Sequence, residues 1–489
     1  MKRPLHMNNF KKLLFLVFMV LSLNCFPQVE SFIRTYGIDG FNHGRRLAVL
    51  SDTTYMILGN KSGPGGMNNV YMIHVNETGQ IIKDQVFGGT DLVFASDMAV
   101  QGDTLFVITG YILNTSTQEY DVITFWIDKD LNPLREVQFN APGWNLGKAA
   151  CINISGDVFV ACETQITGQR PCMLLLHYDQ NGILLNELQI SEQYADIIPE
   201  AMIIINDTSL YIAGGYTPDP DPGQGLILHV STGFLMIDTL LFNVDTLNIH
   251  YNDIELIDAD KIAATGYHTV FESPVKRLLF HSFDYELTQT VDTRDYTNGS
   301  YCNCIASSPE KFSAIGCHTT AFGSGNADFH YIRYNNSDFL GASTIGGLMY
   351  DEPFDIAFAL DSSLVMIGTT ESFGTPITSI MFAKTCKDYF YCVDDNQHFT
   401  NISEPDIRST LTVFPNPAHD YITLSSDIFV RQSIISVTVL STEGRLVLKK
   451  EFINPQREII IDVSSLSKGL YVLFAETKSE QARIKFIKY

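Results

Sequence analysis

An all-β chain, a seven-bladed β-propeller followed by a small Ig-like β-sandwich, is predicted by three observations. A short apolar strand ending in glycine recurs seven times at nearly constant spacing. Four strand signals fall within each repeat. The last repeat is one strand short, and an unassigned strand stands before the first.

The recurring strand reads Tyr55–Gly59, Phe106–Gly110, Tyr211–Gly215, Ile262–Gly266, Phe312–Gly316 and Leu364–Gly368. The copy Val158–Cys162 carries cysteine in place of glycine. Spacings between successive anchors are 51, 52, 53, 51, 50 and 52 residues, a period that marks a repeat architecture. A mixed strand precedes each anchor strand, and turns such as Gly102-Asp103 and Asn206-Asp207 join the two. A third strand (Tyr71–Val75, Val122–Ile127, Met173–Tyr178) and a less regular fourth follow each anchor. Four antiparallel strands per unit of about 40–50 residues define a propeller blade, and seven lies within the usual range of blade numbers. Ser31–Gly37 matches the fourth-strand endings Gln85–Gly89 and Ser343–Gly347. It is therefore expected to complete blade seven, which removes exposed sheet edges.

Domain boundaries are read as 1–25 leader, 29–390 propeller, 391–410 linker and 411–489 sandwich. Lys2, Arg3, Lys11 and Lys12 precede the apolar run Leu13–Leu23. A basic flank and a short apolar core form a signal peptide, and about 20 residues would be needed for a membrane span. Asn24 before Cys25 argues against lipid attachment. The linker is polar and proline-marked, as in Ser403-Glu-Pro405-Asp406.

Formal charge is −23 overall. The first 25 residues hold four basic and no acidic residues, and residues 411–489 hold ten basic and eight acidic. The body between them carries 18 basic and 47 acidic residues, which excludes nucleic acid as a natural partner. Once Cys25 leaves with the leader, the cysteines are even in number and permit disulfides. Position suggests Cys304 with Cys317, Cys162 with Cys172, and Cys386 with Cys392. Cys151 and Cys302 have no evident mates.

Several polar positions repeat. His74, His177, His229 and His281 share a third-strand position with Asp128, Arg333 and Lys384. Neighbouring blades stand about 10 Å apart, too far for one metal ion bound at about 2 Å. Asp97, Asp253 and Asp355 lie thirteen residues before their anchors, with Arg46 and Asn303 read at the same place. They either ring the mouth of a channel or satisfy loop backbone groups. Tyr111, Tyr216 and Tyr267 follow anchor glycines and either line one face or pack on the next blade. No cofactor is predicted; calcium is permitted by the carboxylates of the run Thr217–Gly223, which also reads as an exposed proline loop.

From Leu411 the pattern changes to strands near Tyr421–Leu424, Ile435–Leu440, Leu446–Phe452, Ile459–Val463 and Leu470–Ala475. Its motifs are Phe414-Pro415-Asn416-Pro417, Glu443-Gly444-Arg445 and Asp462–Tyr471, the last containing Gly469 and Tyr471. A basic-apolar final strand follows. Together they resemble the type A C-terminal sorting domain of Bacteroidetes type IX secretion cargo, with Phe414 for the commoner Tyr and Leu470 for the commoner Ile. The resemblance implies passage through the periplasm, handling by the type IX machinery, and release into the medium or attachment at the outer-membrane surface. The body resembles, more loosely, bacterial propeller repeats that carry no fixed activity.

No G-x-S-x-G, H-E-x-x-H, P-loop or sialidase-type Asp box occurs. Two tryptophans, Trp126 and Trp144, are few for a sugar platform, though tyrosine is plentiful. The leading expectation is a non-enzymatic surface binding or adhesion module for a protein or glycan ligand. The alternatives are a secreted polysaccharide hydrolase or lyase, and a structural part of a surface assembly.

Overall fold

The computed structural model describes residues 31–385 and 412–489, except 38–39, 63–67, 221, 245, 271–274, 288–289, 299, 310–311, 322–325, 336–337, 375–376, 426–428, 430–433, 442–445, 454–455 and 477–480. The leader, the linker, Cys386, Cys392, Gly444 and Arg445 lie outside the described residues. Two compact units divide at residue 403. Among the described residues no helix is long and apolar enough to cross a membrane.

The first unit contains seven four-stranded antiparallel sheets. Their inner strands are Asn42–Val49, Val93–Gln101, Trp144–Ile152, Ala195–Ile205, Leu247–Asp258, Ser300–Ser307 and Asp351–Phe358. They define sheets 1 to 7. Each inner strand touches the next, and that of sheet 7 touches that of sheet 1. Sheet 7 takes its fourth strand from the other end of the unit: Phe32–Tyr36 pairs antiparallel with Ser379–Lys384. The core lies between successive sheets, where Met56, Leu58 and Met72 of sheet 1 pack on Phe106, Ile108 and Phe125 of sheet 2. The outer strand of sheet 1, Ile81–Phe87, exposes all but its last residue, whereas that of sheet 7 buries Phe32, Ile33 and Tyr36.

Every inner strand carries a β-bulge near its start, with one unpaired residue: Arg45, Ser96, Lys148, Glu200, Asn252, Asn303 and Phe354. The residue before each bulge pairs with the anchor of the second strand. By that register the anchors are Gly59, Gly110, Cys162, Gly214, Gly266, Cys317 and Gly368. The sequence reading of Gly215 and Gly316 is thus corrected by one residue each, and the period tightens to 51 or 52 throughout.

The bulge also explains the glycine. It presses an inner-strand carbonyl onto the anchor, so a Cβ on Gly110 would stand 1.8 Å from the Phe94 oxygen. On Gly266 it would stand 2.1 Å from the His250 oxygen, and on Gly368 2.0 Å from that of Glu352. Gly110→Ala is expected to destabilise the sheets by about 1–3 kcal/mol through overpacking. A thermal melt of that variant unchanged from wild type would show that the bulge yields freely.

Cysteine pairing departs from the expectation. Cys317 bonds Cys302, with an S–S distance of 2.02 Å, and Cys304 is free. The cause is the bulge: skipping Asn303 sets Cys302 opposite Cys317 and Cys304 opposite Gly316. Cys162 and Cys172 are also free and buried. Cys172 lies opposite Thr164, and Cys162 opposite Leu174, so the two thiols are out of register.

The second unit is a two-sheet sandwich. Thr412–Phe414, Tyr421–Ser425 and Glu458–Asp462 form one sheet; Leu446–Ile453, Ile434–Ser441, Gly469–Glu476 and Gln481–Lys488 form the other. Ile422, Leu424, Val437, Ile461, Leu473 and Phe486 meet in its core. The Pro415-Asn416-Pro417 segment ties the first strand to the last: Asn416 Oδ1 accepts the Ile487 N–H at 2.9 Å. Ala418 bonds the backbone of Ile487 and Tyr489. Tyr471 stacks on Phe486 and donates its hydroxyl to the Ser467 carbonyl at 2.8 Å, bracing the turn beside Gly469.

Candidate functional site

Three register positions bring polar and aromatic side chains to the end at which the inner strands begin. These are the bulged residue, the residue two before it, and the residue after the anchor. The last two pair directly: His43 with Asn60, Phe94 with Tyr111, His250 with Tyr267, Tyr301 with His318, and Glu352 with Thr369.

Glu352 is the focus of one half of this basin. Its carboxylate accepts the hydroxyls of Tyr301 at 2.7 Å and Tyr350 at 2.9 Å, and the Asn303 amide at 3.1 Å. Tyr301 stacks on His318 at 4.6 Å, and Tyr350 lies 5.2 Å from the same imidazole. The Lys276 ammonium rests over the rings of Tyr267 and Tyr301, at 4.0 and 4.4 Å. Arg45 crosses from sheet 1 and lays its guanidinium over Phe354 at 4.8 Å. Burial lowers the basicity of Arg45, Lys276, His43 and His318, opposed in each by the field of Glu352. Burial first, then Glu352, raises the Tyr301 hydroxyl well above its ordinary range.

An aromatic arc continues over sheets 2 and 3. Phe94 stacks on Tyr111 at 4.8 Å, Tyr111 meets Tyr120 at 5.2 Å, and Tyr120 meets Trp144 at 5.4 Å. Trp144 is half exposed. The rest of the basin closes by ion pairs: Lys148 lies 3.5 Å from Glu163 and 3.2 Å from Glu200, and His250 lies 3.3 Å from Glu200. Burial alone would disfavour these charges, but the pairing raises the Lys148 pKa and lowers that of Glu200.

The repeated aspartates sit one residue beyond the bulges. That position reads Arg46, Asp97, Ala149, Ala201, Asp253, Cys304 and Asp355; Asn303 is the bulged residue and does not belong to it. Arg46 reaches Asp97 at 2.6 Å, Asp355 at 3.6 Å and Asp253 at 3.7 Å. Each aspartate also accepts a backbone N–H of the next inner strand: Asp97 from Ala150 at 2.8 Å, Asp253 from Ile305 at 2.9 Å, Asp355 from Leu47 at 2.7 Å. The backbone partners are therefore on a neighbouring strand, not in loops. With its acceptors so engaged, this cluster is a structural clasp, and the open chemistry lies in the basin.

Three of the four repeated histidines, His74, His177 and His229, share one register position with Arg333 and Lys384; His281 and Asp128 do not. The third-strand residues opposite the third residue before each anchor are His74, Trp126, His177, His229, Ser282, Arg333 and Lys384. His281 and Asp128 are displaced by hairpin loops of unequal length. His177 stacks on Phe159, and His229 on Tyr211, within their own sheets. Among the described residues no group of three or more His, Cys, Asp or Glu is placed to hold a metal ion. In the proline run, the Asp219 carboxylate is engaged by Arg170 at 2.7 Å; Asp221 lies outside the described residues. Tyr111 and Tyr267 stand in the basin, whereas Tyr216 hydrogen-bonds Glu192 at 2.7 Å.

The basin's charged members were not singled out by sequence. Their signal is there once the bulge is known: the fourteenth residue before each anchor is the bulged one, and its neighbours two before are rich in His, Tyr and Glu. Without the bulge, period-two alternation assigns them to the wrong face.

Propeller-type sheets followed by a C-terminal sandwich define a modular all-β protein. Residues 412–489 match the family model described as the secretion system C-terminal sorting domain, and the chain is type IX secretion cargo, exported to the cell surface or beyond. No curated protein sequence matches the chain. Among solved structures it is similar to a Bacteroides caccae protein (9% identity, 59% of this chain and 93% of that one, TM-score 0.38). An ulvan lyase of a new polysaccharide lyase family is 8% identical, over 72% of this chain and 96% of that one, at TM-score 0.48. The β-propeller domain of the trilobed protease from Pyrococcus furiosus is 9% identical, over 80% and 95%, at TM-score 0.37. Likenesses this distant carry nothing about ligand or activity.

Proposed function

We propose that the first unit is a seven-bladed propeller, closed by Phe32–Tyr36, that acts at the cell surface or in the medium as a saccharide-binding module. The observation that carries this reading is the aromatic arc Phe94–Tyr111–Tyr120–Trp144, which ends in a half-exposed indole beside a basin of hydroxyls and charges. Stacked rings offer flat apolar faces to sugar rings, and a few polar groups fix orientation. Rigid strands hold most of these side chains, so little ordering entropy opposes binding. A signal peptide at 1–25 would deliver the chain to the periplasm before the tail is read.

Binding is favoured over hydrolysis because Glu352 already accepts three hydrogen bonds, which engage the oxygens a catalytic carboxylate would need free. The test is a polysaccharide panel probed with the full chain by affinity electrophoresis, with Trp144→Ala beside it. Retardation by at least one polysaccharide, weakened about tenfold or more in the variant, is expected, since an aromatic anchor of this kind contributes about 2 kcal/mol. Retardation equal in both proteins would remove the arc from the site. Shortening of the polymer during the assay would replace binding by catalysis.

A further inference from the structure

We propose that the Glu352 half of the basin is the seat of a sugar carboxylate, so that the ligand is an acidic, uronate-bearing polysaccharide; this rests on the saccharide reading above. The first ground is unspent positive charge. Arg45 makes no ion pair or hydrogen bond among the described residues, and its buried Nε has no acceptor. The face of Phe354 covers the guanidinium at 4.8 Å. Lys276 likewise has no carboxylate partner among the described residues and lies on two tyrosine rings. A buried guanidinium N–H without an acceptor is costly, and an incoming anion relieves that cost. The contrast with Lys148 is internal to the same basin: there two glutamates already neutralise the cation.

The second ground is unused hydrogen-bonding capacity. His318 is buried, 6% exposed, and neither ring nitrogen has a partner in another described residue. It stands against Tyr301 and Tyr350, the two residues whose hydroxyls hold Glu352. Glu352 thus stands as a fixed acceptor among groups that keep donors to spare: Arg45, Lys276 and His318. That is the complement of a sugar ring bearing both hydroxyls and a carboxylate.

The third ground is sign. With histidines neutral, Arg45, Lys276 and Glu352 sum to one positive charge on a chain of formal charge −23. A planar guanidinium suits a carboxylate through its paired donors. One net charge fits one monoanionic sugar, while the surrounding acidic surface repels polyanions of high charge density.

The experiment measures retardation of the full chain in gels containing polygalacturonate, alginate or hyaluronate, against their methyl-esterified forms, dextran and dextran sulfate. Preference for at least one uronate polymer over its ester by tenfold or more is expected, with loss of that preference in Arg45→Met and Lys276→Met. Thermal melts of both variants show that folding is intact, and Lys276→Arg restores binding if positive charge is what matters. Equal binding of acid and ester, or of dextran, overturns the carboxylate seat and leaves the saccharide reading standing. Tighter binding of dextran sulfate than of every uronate polymer also overturns it. Binding of no saccharide, acidic or neutral, overturns both readings.

Discussion

Arg46→Met is expected to lower the stability of the first unit by about 3–5 kcal/mol, the range measured when one partner of a buried charge cluster is removed. The variant strands three carboxylates, those of Asp97, Asp253 and Asp355, on inner strands of sheets 2, 5 and 7. None can turn to solvent without releasing the backbone N–H of Ala150, Ile305 or Leu47. The guanidinium itself sits in a field that burial weakens and the three aspartates more than restore, holding its pKa well above the ordinary value. A thermal melt within 1 kcal/mol of wild type, on the scale of an exposed pair, would show that the clasp is spectator to folding.

The loss is expected to depend on pH. Asp355 is pushed up to about 7, first by burial, against the pull of Arg46. Glu255, beside it, is pushed up to about 8 by burial and then by Asp253. A carboxyl with a raised folded pKa binds its proton more tightly in the folded state. Its stabilisation is therefore complete below about pH 4, and is lost as pH rises through the folded value. These two groups make wild type less stable at pH 8 than at pH 5. Removing Arg46 raises both values further and steepens the slope, while Glu255→Gln flattens it. Melts of the three proteins across that window separate the cases; a wild-type stability that rises from pH 5 to 8 would contradict the assignment.

Period and strand content were legible because glycine marks every bulge but two, and because four apolar segments must fit within some 51 residues. The strand before the first repeat was legible for the same reason, since its Tyr36-Gly37 ending copies the outer-strand endings. What failed was register within one residue. Sheet 6 shows why: Gly316 precedes Cys317, and only pairing across the bulge tells which is the anchor. From that single residue follow the wrong disulfide and the wrong membership of Asn303 in the aspartate set. The histidine row held for His74, His177 and His229 but misplaced His281 and Asp128, because hairpins between second and third strands differ in length and sequence offset then loses spatial meaning. The basin escaped notice for a further reason. Its members come from all seven sheets, and no local spacing links His43, Lys276, Tyr301 and Glu352.

Deleting residues 31–37 is expected to unfold the first unit or drive it to aggregate, a larger effect than any single substitution. Phe32–Tyr36 supplies the outer strand of sheet 7 along five residue pairs, from Phe32 with Lys384 to Tyr36 with Ile380. Phe32, Ile33 and Tyr36 are buried, and each contributes about 1.5–3 kcal/mol by burial alone. Phe32 meets Phe382 edge-on at 5.4 Å, and Tyr36 donates its hydroxyl to Gly79 of sheet 1 at 2.8 Å. Arg34 donates to the Thr78 carbonyl in the same turn at 3.0 Å. The strand thus joins sheet 7 to sheet 1 as well as completing sheet 7. Its loss leaves Ser379–Lys384 as an unpaired edge of wholly buried residues, the kind of edge that recruits another chain. Size-exclusion chromatography and near-UV circular dichroism of the deletion read both outcomes. A synthetic peptide spanning residues 31–37 is expected to restore the monomer, because the pairing is by strand addition. A stable monomer without the peptide would show that the other 27 strands hold the seven sheets together unaided, and that the N-terminal strand is ornament to the first unit.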